Sequence, residues 1–266
     1  MQPVVSRQNP RFKALRTIVE DPRGHGRALA DGIHLVSVCI DRGGRIEQML
    51  VSESGRRKPE IIALLERVSG VESMVLGDAL FRELTNISNP TGIAAVFEPP
   101  REPSGPLRGD AVLLDSVQDA GNVGAILRTT AAAGIVDVLL SPGCAGAWGL
   151  KVLRAAQGAH FGLRIREQAD LLSAIDGNDA LVIGTVAHGG QSLYDLDLTR
   201  SVCWLFGNEG SGLSTSLLDV ASVHATLPLA AGTESLNVAA AAAICLFEAR
   251  RQRMQTKRPA QSGPSW

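Results

Sequence analysis

Apolar positions along the chain fall into short, nearly unbroken runs, separated by polar stretches and by segments of helical periodicity. AVLLD (111–115), VDVLL (136–140), ALVIGTVA (180–187) and VCWLFG (202–207) have the continuous apolar character of strands buried on both faces. GLRIRE (162–167) and HATLPL (224–229) read as two more strands. Between the runs lie helical stretches: Asn122 to Ala133, LKVLRAAQGAH (150–160), ADLLSAID (169–176), STSLLDV (214–220) and a long final helix from about Leu236 to Met254. Strands alternating with helices predict an α/β fold built on a parallel sheet covered on both faces.

The first hundred residues follow a different rhythm. IEQMLVSES (46–54), VESMVLGD (71–78) and GIAAVFEP (92–99) predict short strands, while RFKALRTIVED (11–21), ALADGIHLVSVCID (28–41) and KPEIIALLERVSG (58–70) predict helices. EPPREPSGPLRGD (98–110) carries four prolines and two glycines, which sustain neither a helix nor a central strand. The expected organisation is a small α/β unit over 1–98, a linker over 99–109, a larger α/β domain over 110–258 and a disordered tail over 259–266.

Composition narrows the chemistry. Of the 266 residues 45% are hydrophobic, enough for a proper core, and the net charge of −1 gives no global signal for an anionic partner. Aromatics make up only 4%, so base stacking is not the expected mode of any nucleic-acid contact. Cysteines 39, 144, 203 and 245 form no CxxC, and histidines 25, 34, 160, 188 and 224 form no HxH or HExxH. The expectation is a soluble, cytoplasmic protein with reduced thiols and no metal site. The N-terminus has no apolar core of the signal-peptide kind, and the longest apolar run, Val238–Phe247, is too short to span a bilayer.

In sheets of this kind ligands sit beyond the carboxyl ends of the strands, and three loops there carry unusual residues. After AVLLD, Asn122 stands at a helix start as a possible cap, with Arg128 six residues on and expected near the same face. After VCWLF comes GNEGSGLS (207–214). Its glycines are spaced like those of a P-loop, but Leu213 replaces the lysine and Glu209 would repel phosphate, so a nucleotide-hydrolysing site is excluded. After HATLPL comes TESLNV (233–238), in which Ser235 or Asn237 suits a helix N-cap ahead of five alanines.

Together NVGAILRTTAAAG, LFGNEGSGLS and LPLAAGTESLNVAAAAAICLFE, in this order, resemble the three signature motifs of the SpoU–TrmH family. These are RNA ribose 2′-O-methyltransferases of the SPOUT, or α/β-knot, class. The resemblance covers about 110–254; LKVLRAAQGAHF is similar to the family's connecting helix, and the first hundred residues are similar, more loosely, to a ribosomal-protein-like substrate-binding domain. The resemblance implies S-adenosylmethionine as methyl donor, a deep trefoil knot, and a homodimer with its sites at the interface. It also implies catalytic roles for Asn122, Arg128, Glu209, Ser235 and Asn237, and cofactor contacts from Gly207, Asn208, Gly210, Leu227, Leu229, Ala230 and Leu236. The usual proline after the first-motif aspartate is Ala120, and Ala239 follows SLNV where many members have serine.

The family view of Arg128 as proton acceptor conflicts with a guanidinium protonated at any working pH, so an electrostatic role at the RNA phosphate and the developing alkoxide fits it better. Glu209 either accepts the proton or orients Arg128 or Asn122. Expected RNA contacts are Arg7, Arg11 and Lys13 (with Arg16) near the N-terminus, Lys151 and Arg154 on the connecting helix, and the basic end of the last helix, Arg250, Arg251, Arg253, Lys257 and Arg258. Ribosomal RNA, 23S in particular, is favoured as substrate. The alternatives are tRNA, a base nitrogen as acceptor, or a catalytically silent RNA-binding protein on the same fold.

Overall fold

In a computed structural model that describes residues 2–256, the chain divides into two compact units. The first comprises the residues up to Arg101 together with Gly146–Phe161; the second comprises Glu102–Ala145 and the chain from Gly162 onward. Lys257, Arg258 and the tail expected over 259–266 lie outside the described residues. No helix among the described residues is long and apolar enough to cross a membrane.

The first unit opens with helices α1 (Pro10–Glu20) and α2 (Pro22–His25), then strand β1 (Ala28–Asp31), α3 (Ile33–Asp41), β2 (Arg45–Ser52), α4 (Pro59–Arg67), β3 (Glu72–Leu76), α5 (Asp78–Thr85) and β4 (Ile93–Glu98). Its sheet runs β1-β4-β2-β3, with β4 antiparallel to both neighbours and β2 parallel to β3. Residues 28–41, expected as one helix, are a strand and a helix. Gly32 breaks them at φ +95°, and Ala28–Asp31 pairs with Ala94–Phe97 of β4. Phe12 and Leu15 of α1, Leu50, Met74, Leu76 and Phe81 form its core.

The second unit continues with β5 (Ala111–Leu114), α6 (Ala120–Ala133) and β6 (Asp137–Leu140). The chain then gives α7 (Leu150–Ala156) to the first unit before returning to β7 (Arg164–Arg166), α8 (Leu171–Ile175), β8 (Leu181–Thr185) and β9 (Gln191–Ser192). It closes with β10 (Val202–Phe206), α9 (Thr215–Val220), β11 (Val223–Thr226) and α10 (Val238–Thr256). All pairings in the sheet, ordered β7-β6-β5-β10-β8-β11-β9, are parallel. Leu113, Leu139 and Leu205 pack on one face with Leu171 of α8 and Leu217 of α9. Their alternates Val112, Leu114, Trp204 and Phe206 are also buried, which is why these strands read as unbroken apolar runs. The direction of strand succession reverses around β5 and β10, and such a switch point opens a crevice at the carboxyl ends.

The placement of Gly146–Phe161 corrects the expected partition, which gave this segment to the larger domain. Its apolar side faces the first unit. Trp148 and Phe161 lie against Phe97 with ring centroids 6.1 and 5.6 Å apart, and α7 packs against β1. Gly158, at φ +83°, sits so close to α3 that a Cβ there would lie 2.6 Å from Val38.

Candidate active site

The three loops expected to carry chemistry meet at the carboxyl ends of β5, β10 and β11, each shaped by its own local hydrogen bonds. In the first, Asp119 and not Asn122 caps α6: its carboxylate accepts the Asn122 amide at 2.9 Å. Asn122 therefore lies in the first turn with its side chain available. In the second, the backbones of Asn208 and Gly212 exchange hydrogen bonds at 3.0 and 2.9 Å, closing a tight loop. The Asn208 side chain accepts from the amides of Gly210 and Ser211 and donates to the carbonyl of Ser116 at 2.8 Å, joining this loop to the first. In the third, Asn237 is the cap of α10, accepting from the amides of Ala239 and Ala240 at 3.0 and 3.2 Å.

One hydrogen-bond chain links all three loops. The Asn237 amide donates to the Asn122 side-chain oxygen at 2.9 Å, and the Asn122 amide donates to Glu209 at 2.9 Å. Glu209 also accepts from the backbone amides of Asp119 and Gln118, at 3.3 and 3.4 Å. Partial burial pushes the Glu209 carboxyl up, but the hydrogen bonds from Asn122 and these amides outweigh it and hold the group below the ordinary carboxylate range. Glu209 is thus a fixed anion whose lone pairs point at donors of the protein, which favours orienting Asn122 over taking a substrate proton.

A cavity of about 390 Å³ opens beside this chain. Of the expected cofactor residues Gly207, Asn208, Gly210, Leu227, Leu229 and Leu236 line it, with Glu209, Ser235 and Asn237; Ala230 does not. Sequence reasoning missed Thr185, Val186, Leu193, Thr226 and Cys245, which also line it. Thr185, Val186 and Thr226 lie at the carboxyl ends of β8 and β11, adjacent strands in the sheet, and that position is the signal that could have found them. Gly207 needs to be glycine for a reason other than close approach to a ligand. A Cβ there would stand 2.3 Å from the backbone of Gly212 and of Leu213, so the loop itself could not close.

Arg128 stands apart. Six residues at about 100° each leave it roughly 120° around the helix from Asn122, not near the same face as expected. It is exposed and makes no hydrogen bond or ion pair with the described residues. The expected RNA contacts separate in the same way. Arg7 pairs with Glu83, Arg11 with Glu72 and Arg16 with Glu20. Arg154 is half-buried, donating to the carbonyls of Leu150 and Thr85, with Asp31 4.0 Å away. Arg250, Arg251 and Arg253 bond to Ala133, Glu248 and Asp110 respectively. Lys13 and Lys151 are exposed and unpaired among the described residues. No three His, Cys, Asp or Glu side chains among the described residues lie together as metal ligands.

Comparison with known proteins places this arrangement. The model of the SpoU rRNA Methylase family matches residues 110–247. The 23S rRNA (guanosine(2553)-2′-O)-methyltransferase RlmP of Bacillus subtilis is 33% identical over 224 residues, covering 84% of this chain and 88% of that one. The SpoU methyltransferase AviRb of Streptomyces viridochromogenes, solved with AdoMet, superposes with a TM-score of 0.84 at 27% identity, covering 93% of this chain and 99% of that one. An AdoMet-bound rRNA methyltransferase of Sinorhizobium meliloti gives 0.81 at 28% identity, covering 94% and 97%. The chain belongs to the SpoU rRNA methylase family.

Proposed function

We propose that this protein transfers the methyl group of S-adenosylmethionine to a ribose 2′-hydroxyl of 23S ribosomal RNA. The observation that carries the reading is the Glu209–Asn122–Asn237 chain, which ties three distant loops together beside a single cavity that Glu209 and Asn237 line. Relatives similar to this chain are named 23S rRNA 2′-O-methyltransferases, and solved neighbours hold AdoMet.

The cavity fits such a donor. Its volume is in the range of small-molecule sites. Among the described residues its lining includes Glu209 but no lysine, arginine or histidine, so it tolerates a sulfonium cation and disfavours a polyphosphate. When bound, S-adenosylmethionine supplies an electrophilic methyl group. The backbone of Leu227, Leu229 and Leu236 and the closed 207–213 loop would hold it.

The protein's own residues then have the task of placing the ribose, where fixing two reactants contributes roughly 7–11 kcal/mol. Ser235 and Asn237, exposed at the start of α10, offer hydrogen bonds to ribose and phosphate. Asn122, held by Glu209, fixes Asn237. Arg128 stabilises the negative charge growing on the 2′-oxygen, and the proton leaves to water.

The reading extends to the assembly. The first unit binds RNA, and two copies form a homodimer. Support for the dimer comes from Ile244, Phe247 and Met254, apolar residues of α10 exposed at 36, 47 and 60%. The motif order supports a trefoil knot in the second unit, and the setting is the cytoplasm, where ribosomal RNA is modified.

The test incubates the full chain with methyl-labelled S-adenosylmethionine and either deproteinised 23S rRNA or bulk tRNA, then digests to nucleosides. The expected product is a 2′-O-methylnucleoside from 23S rRNA. Label confined to tRNA, or carried on a base, overturns the substrate or the reaction; no label and no cofactor binding overturns the enzyme.

A further inference from the structure

Asp115 and Ser116, at the carboxyl end of β5, precede the first of the three motifs and do not line the cavity. Their bonds nevertheless reach the loop that does. At the start of that loop the Asp115 amide donates to the Phe206 carbonyl at 2.9 Å, and the Asn208 side chain donates to the Ser116 carbonyl at 2.8 Å. In its middle Glu209 accepts from the amides of Gln118 and Asp119. At its end the Ser214 amide donates to the Asp115 carboxylate at 2.8 Å. The 207–214 loop is thus fastened to residues 115–119 along its length, and Asp115 and Ser116 hold its two ends.

Both residues are braced from the other side by the turn after β6. The Ser116 amide donates to the Ser141 hydroxyl at 2.9 Å, and the Ser116 hydroxyl donates to the Pro142 carbonyl at 3.2 Å. The hydroxyls of Ser141 and Ser116 lie 3.4 and 3.5 Å from the second Asp115 oxygen, and the Ala145 amide donates to the Val117 carbonyl at 2.9 Å. Ser116 has φ +55°, a left-handed conformation uncommon for a residue that carries a Cβ. In that conformation one residue aims its amide at Ser141 and its carbonyl at Asn208. The Asn208 side-chain oxygen is itself taken up by the amides of Gly210 and Ser211. The cavity wall formed by this loop therefore owes its shape to bonds made outside the cavity. A loop ordered in advance binds a ligand more tightly than one that must be ordered on binding, because the ligand does not bear the lost entropy.

We propose that Asp115 and Ser116 are positioning residues for the methyl donor, acting through the 207–214 loop. Asp115 serves as the acceptor that fixes the Ser214 amide, and Ser116 serves through the left-handed backbone that fixes Asn208. The inference rests on the reading of the cavity as the S-adenosylmethionine site. It requires an acceptor and not a charge at 115, and a backbone conformation and not a hydroxyl at 116.

The full chain is titrated with S-adenosylmethionine by calorimetry, and KM for donor and for 23S rRNA is measured in turnover. Asp115→Ala is expected to bind the donor about tenfold more weakly, the order of one charge-assisted hydrogen bond. KM for the donor rises alike, and KM for RNA stays. A variant that is merely destabilised has less active protein, which lowers kcat and moves neither KM. Asp115→Asn keeps an acceptor for the Ser214 amide and is expected to bind within about threefold of wild type. Ser116→Gly adopts φ +55° freely and is expected to bind near wild type, whereas Ser116→Val, whose branched side chain opposes that conformation, loses about tenfold. Unchanged affinity in Asp115→Ala overturns the proposal. So does an equal loss in Asp115→Asn, which assigns the effect to the field of an anion on the sulfonium. A loss in Ser116→Gly equal to that in Ser116→Val also overturns it, since the hydroxyl is then what matters. Should Asp115→Ala fail to fold, Ser214→Pro decides: proline takes the φ of −63° found there and deletes the donor, and unchanged affinity overturns the proposal. Wild type that binds no S-adenosylmethionine sinks the reading of the cavity, whereas wild type that binds it as Asp115→Ala does sinks this inference alone.

Discussion

The site edge held by Glu209 and the face of α6 that bears Arg128 are opposites. Glu209 is already bonded to Asn122 and to the amides of Asp119 and Gln118, and Asn122 in turn to Asn237. Arg128 is exposed and bonded to nothing among the described residues. Groups that are satisfied before substrate arrives set geometry, because a new partner must displace an old one. Groups that are unsatisfied are those for which substrate is the partner. On the proposed reading, the difference separates positioning residues from charge-stabilising ones, which residue type alone did not.

The sharpest way to break the positioning side is Gly207→Val. A Cβ 2.3 Å from the Gly212 and Leu213 backbone forbids the closed loop, so cofactor binding by calorimetry should disappear, with a fall in melting temperature as well. Loss of affinity at an unchanged melting temperature would mean that the glycine serves ligand approach and not loop closure. Next in size is Arg128→Ala. Losing a charge-stabilising donor costs on the order of 10²–10³ in kcat, and cofactor affinity should stay within about twofold, since Arg128 does not line the cavity. A comparable loss of cofactor affinity would move Arg128 to the donor side of the site.

Glu209→Gln is expected to have a smaller, pH-coded effect. Its folded-state carboxyl lies below the ordinary value, so the stability it adds is fully present above the unfolded pKa and is lost as pH falls through the depressed one. The melting temperatures of wild type and Glu209→Gln should therefore differ at pH 7 and converge in acid, below about 4.5. The wild-type rate profile between pH 6 and 9 should show no limb assignable to Glu209. A limb that vanishes in the Gln variant would make Glu209 the base.

How much of this was legible beforehand follows from where the information resides. The strands of the second unit could be read because burial on both faces leaves unbroken apolar runs such as VCWLF. Residues 28–41 misled because a four-residue strand and the helix after it are apolar alike, and only Gly32 marks the joint. The loops of the site were identifiable from their residues, but not the bonding between them: Asp119 and Asn122 are both good caps, and the choice depends on Glu209, 87 residues away from Asn122. The excursion of Gly146–Phe161 leaves no local sign at all. Val152, Leu153 and Ala156 would be buried against any partner, and tertiary packing decides which.

That segment offers the smallest test, between two cations three residues apart. Lys151 is exposed, and Lys151→Ala should leave stability unchanged while lowering the salt slope of RNA binding by about 0.7–0.9, if it meets a phosphate. Arg154 is occupied inside the first unit, beside an Asp31 whose burial pushes its carboxyl up to about 6 against the opposing pull of Arg154. A carboxyl raised on folding favours the folded state when protonated, so this contribution declines as pH rises from about 4 through 6. Removing the guanidinium leaves the Asp31 anion buried without its counter-charge. Arg154→Ala should therefore lower the melting temperature more at pH 8 than at pH 5, with RNA affinity of the folded variant near wild type. A loss of RNA affinity at unchanged stability would return Arg154 to the RNA surface where its sequence neighbourhood first placed it.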